Sequence, residues 1–210
     1  VDTFKFVGSV IFEGNVDGGI GTDQMDYGGY GSSIEVNLNA GTASGISGGF
    51  ISIEDVIGSS SSDRLIGTNS DDTFRITSSG NGTVNSTFTF SSFEVLDGAD
   101  GQDILDHSGY GTAVVLDIEA GQASGVSSFS NFEGFVGSSS TADEIRGAAG
   151  GSTFIITGAN SGTVDGYDFS AYENLLGRAG DDTFSLVGSG SISGWVNGGA
   201  GEDTLDYSLY

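Results

Sequence analysis

The chain has no cysteine, no proline, one histidine and only five Lys and Arg among its 210 residues. Without cysteine there is no disulfide framework, no thiolate-bound zinc or iron–sulfur cluster, and no thiol nucleophile. A single His107 leaves little room for a histidine-based metal centre or a catalytic triad. Against the five basic residues stand 29 Asp and Glu, giving a formal net charge of −24. Such a surface repels phosphate, so nucleic acid is excluded as a partner, and anionic lipid is disfavoured for the same reason. No apolar run approaches the roughly 18 residues needed to cross a bilayer, which argues against membrane insertion.

What the chain does have is 38 glycines and a patterned text. High glycine and high net charge are also traits of disordered chains, so order along the sequence has to decide between the two. Residues 17–53 align with 97–132: DGGIGTDQMDYGGYG (17–31) matches DGADGQDILDHSGYG (97–111), and NLNAGTASGIS (37–47) matches DIEAGQASGVS (117–127). DDTFRITSSGNGTV (71–84) matches GSTFIITGANSGTV (151–164) at the same shift of 80, which slips to 79 near 130–142. A second register has a shift of 180, so that 1–30 repeats as 181–210 and Tyr30 falls on Tyr210. The chain thus reads as a window on a longer tandem array, or as a unit whose copies stack end to end.

A finer period of 20 runs through Val16, Val36, Val56, Ile76, Leu96, Leu116, Val136, Ile156, Leu176 and Val196, every one β-branched or leucine. A second column runs through Met25, Ile46, Leu65, Val84, Leu105, Val126, Ile145, Val164, Phe184 and Leu205. Helical spacing is absent, and short apolar runs separated by Gly, Ser, Asn and Asp read as strands joined by turns. The expectation is an all-β parallel solenoid of the β-roll or β-helix kind, with about 20 residues per coil and about ten to eleven coils. It forms one continuous domain over 1–210, with internal units 17–96 and 97–176 and an extra coil at 177–196. The absence of proline fits, since interior N–H groups must donate to neighbouring coils. Terminal coils around Val16, Val36, Ile156, Leu176 and Val196 are expected to offer open edges for self-association.

Four turns share one spelling: GGIGTDQMD (18–26), GADGQDILD (98–106), GRAGDDTFS (177–185) and GGAGEDTLD (198–206). The first and last fully match G-G-x-G-x-D-x-apolar-x, and the pattern resembles the RTX, or haemolysin-type, calcium-binding nonapeptide of secreted bacterial proteins. A looser pair lies at GSSSSDRLI and GTNSDDTFR (58–75). Flanking text such as LDHSGYGTAVVLDIEAGQASG is similar to giant repetitive surface proteins and adhesins of that group. The resemblance implies Ca²⁺ between turns, held by Asp23, Asp103, Asp182 and Asp203 and by carbonyls of glycine-rich turns such as Gly180 and Gly201. Asp63, Asp72 and Asp143 are weaker candidates.

Along the 20-residue phase the position of Asp23, Asp63, Asp103 and Asp143 is filled in between by Ala43, Thr83, Ala123 and Thr163. Carboxylates on adjacent rungs would repel by about 3.5 kcal/mol at an effective dielectric near 20, so alternation relieves a bare Asp ladder. Only 177–196 breaks the alternation. It places the turns 177–182 and 198–203 on adjacent coils and brings Asp181, Asp182, Glu202 and Asp203 together; Asp2 and Asp23 should repeat that pairing. These are the expected cation sites.

Catalysis finds no support, because every acid pair falls in a repeated turn whereas a catalytic site is a local exception to a repeat. His107 replaces Tyr27 and Tyr207 in such a turn. The exposed-looking tyrosines Tyr27, Tyr30, Tyr110, Tyr207 and Tyr210 leave surface glycans as possible partners, with packing of the turns as the alternative. The resulting reading is a structural module of a secreted extracellular fibre or adhesin: a rigid acidic rod that continues end to end with itself and is stabilised by Ca²⁺. The alternative is a carbohydrate-binding or polysaccharide-modifying β-helix.

Overall fold

The computed structural model describes residues 1–210; it is all-β, without a helix, and forms a parallel β-solenoid of about six turns. It divides into two compact units, Val1–Asp103 with Gly125–Phe132, and Ile104–Ser124 with Glu133–Tyr210. In the first unit one wall runs Thr3–Gly8, Gln24–Tyr30, Asp55–Ile57, Phe88–Ser91, Asn81–Val84, Thr73–Ser78. Its other wall runs Ser128–Ser130, Val95–Asp97, Arg64–Ile66, Glu35–Asn37, Thr42–Ala43, and a small pair joins Asn15–Asp17 to Gly49–Ile51. In the second unit the corresponding walls are Ile104–Asp106, Gly134–Val136, Tyr167–Ser170, Ser161–Val164, Thr153–Gly158, Thr183–Val187, Thr204–Leu209, and Gln122–Ala123, Val115–Asp117, Glu144–Arg146, Asn174–Ala179, Val196–Ala200.

The apolar columns are indeed stacked, but not at the step of 20. Val36 stacks on Leu65, Leu65 on Leu96 and Leu96 on Phe129, steps of 29, 31 and 33 residues. In the second unit Leu116 stacks on Ile145 and Ile145 on Leu175, steps of 29 and 30. Only the outermost coils are short: Phe4 on Met25, Leu175 on Val196 and Phe184 on Leu205 are each 21 apart. The coil is therefore about 30 residues long, and about six turns replace the expected ten to eleven. The physical reason is that an apolar strand centre recurs about every ten residues and about three such segments make one coil. A step of 20 therefore does not follow one wall: it changes wall from Val36 to Val56, keeps to the same wall from Val56 to Ile76, and changes again from Ile76 to Leu96. The two sequence columns are in fact interleaved, since Val36, Leu65 and Leu96 belong to first, second and first.

The stacking is also not wholly parallel. Thr73–Ser78, Asn81–Val84 and Phe88–Ser91 form an antiparallel meander, and Thr153–Gly158, Ser161–Val164 and Tyr167–Ser170 form its counterpart 80 residues on. Local turn chemistry explains this. Asn85 and Ser86, and then Asp165 and Gly166, hold successive positive φ values (52° and 58°, 50° and 92°), the pair that a type I′ hairpin turn needs.

Buried ladders supply the main stabilisation. Met25, Val56, Leu65, Leu96, Leu105, Leu116, Ile145 and Leu175 are fully buried, at about 1.5–3 kcal/mol each for a side chain of this size. Phe154 and Phe184 stack at 4.8 Å between centroids. Stacking this close leaves no space for a side chain where one coil's corner crosses the next. At Gly58 a Cβ would stand 2.0 Å from the Ser92 carbonyl oxygen and 2.6 Å from Asp63 Oδ2.

Gly58→Ala should therefore cost several kcal/mol of unfolding free energy, on the order of a severe core overpacking. Gly111→Ala, where a Cβ meets nothing within 4 Å, should stay within about 0.5 kcal/mol of wild type. Urea titration followed by circular dichroism distinguishes them, and equal midpoints would contradict the packing described.

Candidate functional site: the Gly-Asp turns

Every Gly-Asp turn stands at a corner, immediately before a strand, and in all but the last, where Asp203 is exposed, the aspartate is buried. Asp23, Asp63, Asp72, Asp103, Asp143 and Asp182 are all buried. A carboxylate removed from water needs hydrogen-bond donors, and here they come mainly from backbone N–H groups on the coil before it. Asp63 Oδ1 accepts from Ile34 N–H at 2.8 Å, and Asp143 Oδ1 from Val114 N–H at 2.7 Å. Asp103 Oδ1 accepts from Asp72 N–H at 2.7 Å and Asp182 Oδ1 from Ser152 N–H at 2.6 Å. The next coil repeats the arrangement with a longer side chain: Glu54, Glu94 and Glu173 accept the N–H groups of Asp23, Asp63 and Asp143 at 3.0–3.1 Å. Acid ladders that look repulsive in one dimension thus satisfy the corner backbone from coil to coil.

The glycine five residues before each of these aspartates, six before Asp143, has a definite role. The carboxylate packs against its Cα: a Cβ at Gly58, Gly67, Gly98 or Gly177 would lie 2.2–2.6 Å from the Oδ2 of Asp63, Asp72, Asp103 or Asp182. Gly180 and Gly201 serve backbone approach between coils, with a Cβ at Gly201 falling 2.0 Å from the Gly180 carbonyl oxygen.

Two kinds of turn then separate. In the serine turns the second carboxylate oxygen is filled from within. Ser59 N–H donates to Asp63 Oδ2 at 2.5 Å and Ser138 N–H to Asp143 Oδ2 at 2.7 Å, while both serine hydroxyls donate to Oδ1 at 2.9 Å. Thr68 does the same for Asp72, with its N–H on Oδ2 at 2.6 Å. In the glycine turns the corresponding N–H is turned away. Gly19 N–H donates to Asp17 Oδ1 and Gly199 N–H to Asn197 Oδ1, both at 3.0 Å. Asp23 Oδ2 and Asp182 Oδ2 are left buried without a protein donor. Burial raises the pKa of Asp182 above the usual carboxylate range, and the nearby charge of Asp203 adds to that.

The turns 177–182 and 198–203 do lie on neighbouring coils. Asp182 N–H donates to Asp203 Oδ1 at 3.1 Å and Glu202 N–H to Asp181 Oδ1 at 2.8 Å. Asp2 and Asp23 are joined likewise, Asp2 N–H donating to Asp23 Oδ1 at 2.5 Å. Asp181, Glu202, Asp203 and Asp2 are exposed, and no three acidic or histidine side chains converge as one cluster. Of the positions expected at open edges, Val36, Ile156 and Leu176 lie inside ladders and Val16 is covered by Phe50; Val196 is the one on an outermost coil with substantial exposure.

The tyrosine stripe mostly packs the turns. Tyr27 is buried and stacks on Phe6 at 4.4 Å, whereas Tyr207 and Tyr210 on the last coil are exposed. Basic side chains, which the sequence scatters, reach acids on other coils: Arg64 joins Glu35 to Asp97, and Arg178 pairs with both Asp117 and Glu119 of one earlier coil. Burial pushes the pKa of Asp97 upward, but hydrogen bonds from Asn131, Ala99 N–H and Arg64 overcome that effect and hold it low. Neither bridge is legible from spacing alone.

His107 occupies the place of Tyr27, wholly buried, with Nε2–H donating to the Ser124 carbonyl at 3.0 Å. Burial lowers its pKa to about 4, despite the opposing pull of that carbonyl and of Asp106 and Asp143. Buried polar groups at this position are a consequence of the repeat rather than a general base open to substrate.

No family model and no curated protein sequence matches the chain.

Because the folded chain holds His107 neutral down to about pH 4, the unfolded chain binds the extra proton first as pH falls below about 6.5. Stability present at pH 7 should decline between pH 6.5 and 4, by roughly 3 kcal/mol from this group at the full shift. The raised pKa values of Asp182 and Glu173 act in the opposite sense, since protonation lifts the penalty on their charged forms. The difference between wild type and His107→Tyr, measured by urea titration at several pH values, isolates the histidine; parallel pH profiles would refute its buried neutral state.

Proposed function

We propose that the chain is a structural repeat module of a secreted bacterial fibre or adhesin, whose copies join end to end and whose glycine turns take up Ca²⁺. The observation that carries the calcium reading is the contrast between the two kinds of turn. Serine turns fill the second oxygen of Asp63 and Asp143 with their own donors, while glycine turns leave Asp23 Oδ2 and Asp182 Oδ2 buried and without one. A buried, unpartnered carboxylate oxygen is costly, and a divalent cation is a natural partner for it. On this reading Asp182, with Asp181, Glu202, Asp203 and the carbonyls of Gly180 and Gly201, would hold one ion, and Asp23 with Asp2 another; the acidic side chains do not converge beforehand, so the ion would have to gather them. Bound there, Ca²⁺ would neutralise part of the −24 charge and tie adjacent coils together. The resemblance of these turns to the RTX nonapeptide supports the same ion. Asp63, Asp72 and Asp143 drop out of the ligand set on this reading, because their oxygens are already used.

The structural role rests on how the acidic groups are spent. The inward-pointing acids of the turns bond to backbone donors between coils, and the one histidine is buried in packing. Nothing specific in the geometry favours the polysaccharide-modifying alternative.

Thermal melting in EDTA and in millimolar Ca²⁺ tests the proposal. Wild type should melt at a higher temperature with Ca²⁺, corresponding to about 2.7 kcal/mol when the ion stands at a hundred times its Kd. Asp182→Asn together with Asp23→Asn should abolish the increment. Asp63→Asn should lower stability in both conditions and keep the increment. An unchanged melting temperature for wild type, or an increment that survives the double substitution, would overturn the calcium assignment.

A further inference from the structure

One corner of the second unit buries two polar atoms that no protein group satisfies. His107 follows strand Ile104–Asp106, and its N–H donates to the Val136 carbonyl at 2.8 Å; Gly137 N–H in turn donates to the Ser170 carbonyl at 2.9 Å. His107, Gly137 and Ala171 therefore stand over one another on three successive coils, and Tyr172 follows Ala171. The same coils are joined a few residues on. Val114 N–H donates to Asp143 Oδ1 at 2.7 Å, and Asp143 N–H donates to Glu173 Oε2 at 3.1 Å. Asp143 thus lies on the middle coil, between the coil of His107 and the coil of Tyr172. At the level of His107 that middle coil contributes glycine, since a Cβ at Gly137 would stand 1.9 Å from the Ala171 carbonyl oxygen and 2.9 Å from Asp143 Oδ2.

The side chains of His107 and Tyr172 are wholly buried, and neither His107 Nδ1 nor the Tyr172 hydroxyl has a hydrogen-bond partner in the protein. Such orphans are rare in folded proteins and costly. Asp143 is already taken up by Val114 N–H and by the N–H and hydroxyl of Ser138. The two orphans are chemically complementary. The Ser124 carbonyl can only accept, so the proton of the neutral ring sits on Nε2 and Nδ1 presents a lone pair. Tyr172 presents an O–H. Burial raises its pKa, and the charges of Asp143 and Asp106 raise it further; the same two carboxylates act on His107, which marks the two rings as neighbours of one pair of charges.

The first unit carries a different pair at these places. Tyr27 stands for His107 at the shift of 80, and Phe93 stands for Tyr172 at the shift of 79, both buried. A donor and a hydrocarbon there become an acceptor and a donor here, and the imidazole is smaller than the phenol it replaces. The two exchanges together supply both the room and the second polar contact that a bound molecule needs.

We propose that this corner is a binding site for one internal water molecule, which accepts the Tyr172 O–H and donates to His107 Nδ1, linking the first of the three coils to the third. Water suits the pair because it accepts and donates at once, whereas a metal ion would leave the Tyr172 proton without an acceptor. Two such bonds fall within the range of about two to four that buried waters make. The site is independent of the calcium reading, and its test is run in EDTA.

The full chain labelled with ¹⁵N serves, because His107 is the one histidine and its ring signals identify themselves. The long-range ¹H–¹⁵N spectrum of wild type should show a neutral ring protonated on Nε2, with Nδ1 shifted by an accepted hydrogen bond. A cross-relaxation peak should connect the ring Hε1 to a long-lived water. Tyr172→Phe should remove that peak and return Nδ1 to the shift of an unbonded lone pair, while the Nε2–H signal stays. Urea titration gives a second reading. His107→Tyr alone and Tyr172→Phe alone should each raise the unfolding constant roughly tenfold, the scale of one buried polar group losing its partner. The double variant, which rebuilds the Tyr27 and Phe93 pair, should lose clearly less than the product of the two. A wild type without the water peak, or an Nδ1 signal indifferent to Tyr172→Phe, would overturn the site. So would a shifted Nδ1 with no water peak, which marks a direct bond between the side chains. Losses that simply multiply in the double variant would overturn the coupling of the two residues through the water.

Discussion

One requirement organises this molecule: the backbone N–H groups at each corner must find an acceptor on the next coil. Strands satisfy one another through the sheet ladders, but corners are irregular and have no ladder to join. Here the acceptor is a carboxylate, supplied by Asp or Glu at the last position before a strand. That single demand places acids at repeated positions. Before the aspartates it also forces glycine five or six residues earlier, where the carboxylate lies against the chain, and it explains why so acidic a protein can stack its coils closely. Repulsion between ladder carboxylates is offset locally by N–H dipoles and, at a few places, by an arginine spanning two coils.

The same requirement divides the turns into self-sufficient and incomplete ones. A serine or threonine at the second turn position brings both a backbone donor and a hydroxyl to the buried carboxylate. A glycine there, held at positive φ as at Gly19 and Gly199, points its N–H to the preceding Asp17 or Asn197 instead. Ala99 and Arg178 occupy this second position too, at φ of 78° and 89°, a conformation that costs an L-residue about 1–2 kcal/mol. The backbone geometry of the glycine turn is thus maintained even where its glycine is not, as would follow if the geometry rather than the glycine were what matters.

The first coil obeys different steric rules from its repeat at 181–210. Interior coils meet through glycine and serine, which let backbones approach to hydrogen-bonding distance. The first coil replaces those residues with valine, isoleucine and glutamate and becomes an apolar face. Repetition of the text therefore does not mean that every copy of a coil has the same neighbour.

Much of this was legible in the sequence. Strand chemistry, the absence of helix, the 80- and 180-residue registers and the identity of the acidic corner residues all follow from periodicity and composition, because alternation of apolar columns with Gly-Asp turns is a local property. The adjacency of the turns 177–182 and 198–203 was legible too, since a break in a repeat is visible along the chain. What the tertiary structure decided was which coil lies next to which. A period of 20 along the chain is compatible with any coil made of ten-residue sides, and only hydrogen-bond pairing selected a turn of about 30. The two meanders escaped the column analysis because their antiparallel strands keep the same apolar phase. So did the partnering of each carboxylate: Asp63 and Asp23 both close corner turns, and differ because the donor that Ser59 directs inward is directed by Gly19 to Asp17 instead.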